Sequence, residues 1–239
     1  MPEIVKGPYR VRVSRAPGDM AAALALRSRC FRADTSVSDR DRFDDTCQHV
    51  LLEEIDSDRL IACYRLGHYT RMADILHSYS GQFYGLSRLA AHPGPAVEIG
   101  RFCVDPDVSD PDILRLLWGA LARYIDNHQV ALLFGCSSFN GVDPKIYAGV
   151  FAQLARDHLA PPALHPDAIA PDIHGFAQYR DCHSGVKMPP LLQSYLALGG
   201  WVSDHAVIDR DLGTIHVFTA VEVANIPPIR ARLLRAILE

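Results

Sequence analysis

The segment VEIGRFCVDP, residues 97 to 106, places two ionisable side chains, Glu98 and Arg101, inside a run that otherwise favours a strand. A strand buried on both faces rarely holds charged groups, and in a regular strand residues 98 and 101 point to opposite faces. A carboxylate can accept a proton, and a guanidinium can hold an opposing negative charge. Either acid–base chemistry or a buried ion network would account for these residues.

More carboxylates lie upstream. The motif DRFDD contains Asp41, Phe43, Asp44 and Asp45 within an acidic, polar stretch over residues 34–46. Judged by composition alone, this stretch is typical of a solvated loop.

Basic and aromatic side chains accompany these carboxylates. Arg27 and Phe31 are four positions apart in a predicted helix, so they lie one turn apart on one face, which suits either a site or helix packing. Arg65 follows the apolar run RLIACY, and His49 lies in TCQHV at the start of a predicted strand. A structural and a functional role are equally open for His49.

The composition is that of an ordinary globular chain. Of its 239 residues, 49% are hydrophobic and 22% are charged, which is enough for a sizeable core. The net charge of −4 provides no bulk basic field for nucleic acid. The six cysteines include no C-x-x-C pair, so we expect no metal site. We find neither a signal peptide nor a long apolar stretch and expect a cytoplasmic protein.

Hydrophobic periodicity predicts the elements that must position these side chains. Residues 111–128 are the clearest helix, because a proline opens it and apolar residues recur on one face. The runs QHVLLEEI and RLIACYRL, separated by three polar residues, predict an antiparallel hairpin. Further helices are predicted over residues 18–31, 144–160, 189–200 and 226–239, and strands over residues 97–104, 130–139, 201–208 and 214–221.

This order of elements predicts an α/β (α+β) fold in a single domain over residues 1–239. A Pro- and His-rich covering segment spans about residues 160–188, with a short strand within residues 173–179. The terminal helix over residues 226–239 carries three arginines among aliphatic residues. It could lie on an anionic membrane or pack on its own domain.

The charged motifs resemble, in order and spacing, those of the acyl-homoserine lactone synthases, a branch of the GNAT acyltransferases. The motifs are R-x-x-x-F, DRFDD, ACYRL and EIGR. Longer stretches are similar to the ornithine-lipid N-acyltransferases and are spread over roughly residues 20–221, which is most of the chain. These stretches are DRFDDTCQHVLL, SYSGQFYGLS, VEIGRFCVDP, LLWGALARYI, LLFGCSSFNGVDP and MPPLLQSYLALGGWVSDHAVIDRDLGTIHVF.

The resemblance implies a GNAT-like acyltransferase with a mixed central sheet flanked by helices. Its implied reaction transfers a 3-hydroxyacyl chain from acyl carrier protein to the α-amine of ornithine and gives lyso-ornithine lipid. No cofactor is implied, because the acyl-phosphopantetheine of the carrier protein is a co-substrate. The acidic stretch DPDVSDPDIL would repel the pyrophosphate of free acyl-CoA, which favours the carrier protein as donor.

The resemblance also implies roles for the charged residues. An α-amine is protonated at neutral pH, so we expect Glu98 to act as its base. We expect Arg101 to be the second catalytic residue, holding the opposing charge by pairing with Asp41 or Asp44. The expected substrate-binding residues are Arg27, Phe31, Asp41, Phe43, Asp44, Asp45, His49 and Arg65.

Several alternatives stay open from the sequence. The acceptor could be glutamine or glycine in place of ornithine, since nothing in the residues separates a second ammonium from an amide. Synthesis of acyl-homoserine lactones is a second enzymatic alternative. A carrier-protein binding module without catalysis is a third. Peripheral membrane contact is compatible with all of them.

Overall fold

The computed structural model describes residues 2–32, 34–179, 182 and 185–238. Its strands are β1 (Ile4–Lys6), β2 (Tyr9–Val13), β3 (Gln48–Glu54), β4 (Leu60–Tyr69), β5 (Tyr84–Gly85), β6 (Ala96–Val104), β7 (Leu132–Asn140), β8 (Asp167–Ala168), β9 (Ile173–Gly175), β10 (Trp201–Asp209) and β11 (Thr214–Glu222). Its α-helices are α1 (Pro17–Phe31), α2 (Pro111–Asn127), α3 (Ala148–Asp157), α4 (Pro190–Ala197) and α5 (Pro228–Ala236).

The chain divides into two compact units. The first unit comprises residues 1–68, 98–130 and 228–239, and the second unit comprises residues 69–97 and 131–227. The single domain expected over residues 1–239 stays a prediction.

The first unit contains the strands β1, β2, β3, β4 and most of β6, in that order across the sheet. The β3–β4 hairpin is antiparallel and places His49 opposite Arg65, so the predicted hairpin is confirmed. Asp58, in the connection between these strands, has a φ of 51°. This left-handed conformation suits an aspartate in a tight turn.

Helix α2 begins and packs as its sequence predicts. Asp110 accepts a hydrogen bond from the backbone N–H of Asp112 at 2.8 Å, and Pro111 occupies the first turn. The predicted apolar face is buried, at residues 113, 116, 117, 120, 121, 124 and 125. Helix α5 packs against α2 within the same unit.

The second unit contains the strand order β7, β11, β10, β9, with antiparallel registers between these neighbours. A separate antiparallel pair joins β5 to β8. One parallel bridge links Leu159 to Val202, so both strand directions occur. Buried aromatic residues, including Phe139, Phe151 and Phe176, fill a core between α3 and this sheet.

The helix predicted over residues 144–160 is shorter in the structure. Residues Pro144–Tyr147 form a 3-10 turn, and α3 begins at Ala148. After α3 the chain extends beside β10, where the N–H of Ala160 donates to the carbonyl of Val202 at 2.8 Å and the N–H of Val202 donates to the carbonyl of His158 at 2.8 Å. These sheet-like bonds end the helix before residue 160 because they use the same backbone groups.

The covering segment is also more irregular than predicted. The strand expected within residues 173–179 is limited to β9, and residues Phe176–Tyr179 form a 3-10 turn. Phe176 and Tyr179 are three positions apart and both buried, as one helical turn allows. Within this segment, residues 180, 181, 183 and 184 lie outside the described residues, as does residue 239 at the end of the predicted terminal helix.

Across the described part of the chain, no helix is both long and apolar enough to cross a membrane.

Candidate active site

Arginines and aspartates from four segments of the first unit meet in a buried group that we call the ion cluster. Helix α1 supplies one arginine, and β4 and β6 supply one each, while the loop between α1 and β3 supplies the carboxylates. The members of the ion cluster are Arg27, Asp39, Asp41, Asp44, Arg65 and Arg101.

Arg27 joins α1 to the loop. Its Nε donates to Asp39 Oδ2 at 2.8 Å, and its Nη1 donates to Asp44 Oδ1 at 2.7 Å. Its Nη2 also donates to the backbone carbonyl of Asp39 at 2.6 Å. Arg27 is 1% exposed, so these charged hydrogen bonds offset the cost of taking the guanidinium out of water.

Arg65 joins β4 to the same loop. Its Nη1 lies 2.5 Å from Asp41 Oδ1 and 2.8 Å from Asp44 Oδ1, and its Nη2 donates to Asp41 Oδ2 at 3.0 Å. Burial alone would lower the pKa of Arg65, but its hydrogen bonds to Asp41 and Asp44 raise that pKa above the usual value. Arg65 therefore stays charged.

Arg101 brings β6 into the cluster. Its Nε donates to Asp39 Oδ2 at 2.8 Å, and its Nη2 donates to Asp41 Oδ2 at 3.3 Å. The expected pairing of Arg101 with Asp41 is confirmed. Arg101 also has a φ of 52°, which interrupts the regular alternation of side chains along β6.

The loop is held in shape by its own carboxylates. The N–H of Asp41 donates to Asp44 Oδ2 at 2.9 Å, and the N–H of Phe43 donates to Asp41 Oδ1 at 2.9 Å. Phe43 is buried, and the guanidinium of Arg65 lies 5.6 Å from its ring centroid. This placement allows a cation–π contact beneath the loop. Asp39, Phe43 and Asp44 of this loop thus turn inward and belong to the site, although most residues between 34 and 46 are exposed, as the composition suggests.

Asp44 is held as an anion. Burial raises its pKa, but hydrogen bonds from Arg27, from the Asp41 N–H and from Arg65 outweigh burial and lower the pKa of Asp44 to about 2. A carboxylate with so low a pKa is a poor proton acceptor at neutral pH. Asp44 is therefore suited to fixing charge and position.

Glu98 is a buried residue of β6 in the first unit. Its negative charge acts on the Cys47 thiol, as do the charges of Arg65 and Asp41. Glu98 therefore shares one electrostatic neighbourhood with the ion cluster. Gly100, two residues further along β6, faces Arg65, whose Nε would lie 3.6 Å from a Cβ built on the glycine.

Cys47 and His49 border this neighbourhood and are uncharged at neutral pH. Burial, mainly, raises the pKa of Cys47 to about 11, so its thiol is not a ready nucleophile. Burial also lowers the pKa of His49 below its usual value. The Nε2 of His49 lies 3.1 Å from the carbonyl oxygen of Asp44, so this histidine supports the loop.

Of the predicted residues that are not members of the ion cluster, Phe31 and Asp45 have their contacts elsewhere. Phe31 is half-buried and packs with a small apolar group that includes Leu26 and Cys103. Asp45 is exposed and pairs with Arg40, whose Nη2 donates to its Oδ1 at 2.6 Å. Asp45 therefore belongs to the solvated side of the loop.

Sequence reasoning missed Asp39, which is 0% exposed. Asp39 accepts hydrogen bonds from Arg27 and Arg101, and Arg32 Nε lies 3.2 Å from its Oδ1. The sequence indicates Asp39 only weakly, through its position two residues before Asp41 of DRFDD, because it lies in a run of polar residues.

The described residues contain no group of three or more His, Cys, Asp or Glu side chains placed to hold a metal ion. Glu98 adds a buried carboxylate to the charges of the ion cluster. A carboxylate can bind a cationic group or accept a proton from it.

Comparison with known proteins gives three concordant results. A model of the acetyltransferase (GNAT) domain matches residues 26–119, a range that contains the ion cluster and Glu98. An L-ornithine N(alpha)-acyltransferase of Rhodobacter capsulatus is 31% identical over 237 residues, covering 90% of this chain and 90% of that protein. One of Brucella abortus is 30% identical, covering 92% of this chain and 86% of that protein.

Among solved structures, FeeM, an N-acyl amino acid synthase from uncultured soil microbes, aligns with a TM-score of 0.55 and 11% identity. The alignment covers 90% of this chain and 92% of that chain. At this identity the likeness concerns the fold alone. The prediction of a GNAT-like α/β (α+β) fold with a mixed sheet flanked by helices is confirmed.

Asp39→Asn should destabilise the protein by about 3 kcal/mol, because it leaves buried guanidinium groups without their shared anion. The matched control is Asp45→Asn in the same loop, whose exposed ion pair should cost less than about 1 kcal/mol. Urea denaturation of both variants measures the difference. Equal urea midpoints for the two variants would contradict the larger contribution of the buried Asp39 carboxylate to stability.

The low pKa of Asp44 predicts a pH dependence of stability. A carboxylate whose folded-state pKa lies below its unfolded value stabilises the fold above the unfolded pKa, and this contribution is lost as the pH falls. With a pKa of about 2 in place of 3.8, Asp44 should contribute about 2 kcal/mol at pH 6. That contribution should disappear progressively between about pH 4 and pH 2.

The measurement is the free energy of unfolding from pH 6 to pH 2 for the wild-type protein and for Asp44→Asn. The wild-type curve should fall more steeply than that of the variant over the acid range. Parallel curves would contradict a depressed pKa at Asp44.

Proposed function

This chain belongs to the family of L-ornithine N(alpha)-acyltransferases, and from that membership we propose that it N-acylates the α-amine of ornithine, giving lyso-ornithine lipid. The observation that carries the proposal is the likeness to relatives along 90% of the chain. The residues that the GNAT-domain model matches, 26–119, contain the ion cluster. The protein is accordingly an acyltransferase of the GNAT type.

The proposed mechanism gives Glu98 the role of base. The acceptor amine must lose a proton before its lone pair can attack the thioester carbonyl. The new C–N bond replaces the C–S bond, and the phosphopantetheine sulfur leaves as a thiolate that takes up a proton. Asp44 is unsuited to this step because its pKa is about 2. We assign the amine proton to Glu98, directly or through one water, because Glu98 is buried on β6 in the same electrostatic neighbourhood as the ion cluster.

We assign Arg101 a positioning role in place of direct chemistry. Its guanidinium is held by Asp39 and Asp41, and its backbone interrupts the regular course of β6 three residues after Glu98. Arg101 thereby fixes the course of the strand on which the base stands. Arg27, Arg65, Asp41 and Asp44 hold the loop that would border a cationic acceptor.

The proposed donor is the acyl-phosphopantetheine of acyl carrier protein, used without a further cofactor. The start of α2 supports this choice over acyl-CoA. The carboxylate of Asp110 accepts a hydrogen bond from the N–H of Asp112 at 2.8 Å, so this N–H is already paired. Asp112 adds another negative charge in the first turn. A pyrophosphate would meet these two carboxylates where a helix N-terminus would otherwise attract it.

The site of action that we propose is the cytoplasmic face of the membrane, with the protein in peripheral contact. The lipid product supports this proposal, because an acylated amino acid partitions into a bilayer.

A competition experiment tests the acceptor and the donor together. The purified protein and a 3-hydroxyacyl-carrier protein are incubated with equal amounts of ornithine, glutamine, glycine and S-adenosylmethionine, and the products are analysed by mass spectrometry. We expect N-acylornithine as the main product, with slower transfer from the matching 3-hydroxyacyl-CoA. Another N-acylated amino acid would correct the acceptor, and acyl-homoserine lactone would overturn the proposed reaction.

An untouched thioester, under conditions where an active relative turns over, would favour a binding module without catalysis. Faster transfer from the CoA thioester would instead contradict the argument from the start of α2.

Glu98→Gln should lower kcat/KM by on the order of 10² to 10⁴-fold, because the amide cannot take the proton from the amine. The matched control is Glu54→Gln on β3, which should keep wild-type activity. Circular dichroism and thermal unfolding check that both variants fold. Raising the pH should partly restore the Glu98→Gln variant, since more of the acceptor amine is then neutral. Unchanged activity in a folded Glu98→Gln protein would remove this residue from the mechanism.

A further inference from the structure

Helix α5 presents large aliphatic side chains to solvent. Ile229 is 65% exposed and Leu233 is 56% exposed. These two residues are four positions apart, so they lie on one face of the helix, one turn from each other. A surface helix normally turns such side chains toward its own core. In α5 they point away from it.

The opposite face of α5 explains why the helix is nevertheless held in place. Ala231 and Leu234 are half-buried. Helix α5 packs on α2, where Ile237 and Leu238 approach Gly119 so closely that an added Cβ would lie 3.0 Å from them. Arg235 also donates to both carboxylate oxygens of Asp126 on α2, at 2.7 and 2.8 Å. The exposed aliphatic face is thus presented by an anchored helix.

Basic residues flank the exposed aliphatic face on both sides. At about 100° of rotation per residue, Arg230 lies on one side of Ile229, and Arg232 lies on the other. Both arginines are exposed. The sequence from residue 226 to residue 238 contains three arginines and neither Asp nor Glu. This local charge contrasts with the net charge of −4 for the whole chain.

We propose that this face, Ile229, Arg230, Arg232 and Leu233, is a docking surface for the headgroup region of an anionic lipid bilayer. The two aliphatic side chains enter the boundary between headgroups and acyl chains, and the two arginines contact lipid phosphates. An apolar strip between two basic edges is complementary to such an interface. A helix of this length with two inserted side chains gives weak, reversible binding, and α5 does not span the bilayer.

The docking surface is independent of the identity of the acceptor. It nevertheless suits an enzyme whose product is a lipid, since docking places the site of synthesis beside the destination of the product.

Vesicle flotation tests the proposal. The full-length protein is mixed with vesicles of phosphatidylcholine alone or of phosphatidylcholine with 30 mol% phosphatidylglycerol, a composition of about one anionic lipid in three. We expect binding to the anionic vesicles that weakens as salt is added, and little binding to the neutral ones. Equal binding to both kinds of vesicle would overturn the role of the arginines, and no binding to either would overturn the proposal.

Two double variants locate the surface, and all four substitutions are at exposed positions, where folding is least affected. Arg230→Gln with Arg232→Gln should lower partition onto anionic vesicles by on the order of tenfold. Ile229→Ser with Leu233→Ser should lower it by a similar factor. The matched controls are Arg71→Gln with Arg88→Gln, and Ile146→Ser with Ile169→Ser, all exposed in the second unit. These controls should bind as the wild type does.

Wild-type partition by both α5 variants would overturn the proposal. Gel filtration of the same proteins tests the competing occupant, a second copy of the chain. A dimer that Ile229→Ser with Leu233→Ser converts to a monomer would also overturn it. Transfer of the acyl chain to a soluble acceptor, measured without vesicles, should be unchanged in the α5 variants, so loss of docking is distinct from failure of the proposed reaction.

Discussion

The first unit depends on one shared anion, the carboxylate of Asp39. With 0% exposure it accepts charged hydrogen bonds from Arg27 on α1 and from Arg101 on β6. A helix, a strand and the loop between α1 and β3 are thereby tied at a single point. Buried charges are costly unless they are paired with good geometry. The cost of separating them makes the arrangement of these three segments specific.

The same contact accounts for the backbone at Arg101. A non-glycine residue with a φ of 52° costs on the order of 1 kcal/mol, and in the middle of a strand it needs a compensating interaction. The hydrogen bonds to Asp39 and Asp41 supply that interaction. Because the regular alternation of side chains is interrupted at Arg101, its side chain reaches the loop carboxylates from β6. The alternation of a regular strand does not predict this side-chain direction.

The sequence predicts α2 well because its signals are local: a capping aspartate, a proline in the first turn and an apolar stripe. The same reasoning predicts too long a helix at α3. Its C-terminal end is set by backbone hydrogen bonds to Val202, which is distant in the sequence. Arg27, Asp44, Arg65 and Arg101 are identified by the resemblance of their motifs to those of the GNAT acyltransferases, whereas Asp39 is not. A run of polar residues does not reveal which carboxylate turns inward. The opposite error occurs at Asp45, which sits beside Asp44 in DRFDD but faces solvent, since neighbouring residues of a tight turn diverge.

The charged groups around a carboxylate set its affinity for protons. An aspartate surrounded by guanidinium groups is stabilised as an anion, and its affinity for protons falls, as the low pKa of Asp44 illustrates. Such a group can organise a site for a cation, but it cannot take a proton from an amine near neutral pH. In the proposed mechanism a separate carboxylate, Glu98, takes the proton. Because β6 carries both Glu98 and Arg101, the arginine that completes the ion cluster also sets the position of the carboxylate that we assign to the chemistry.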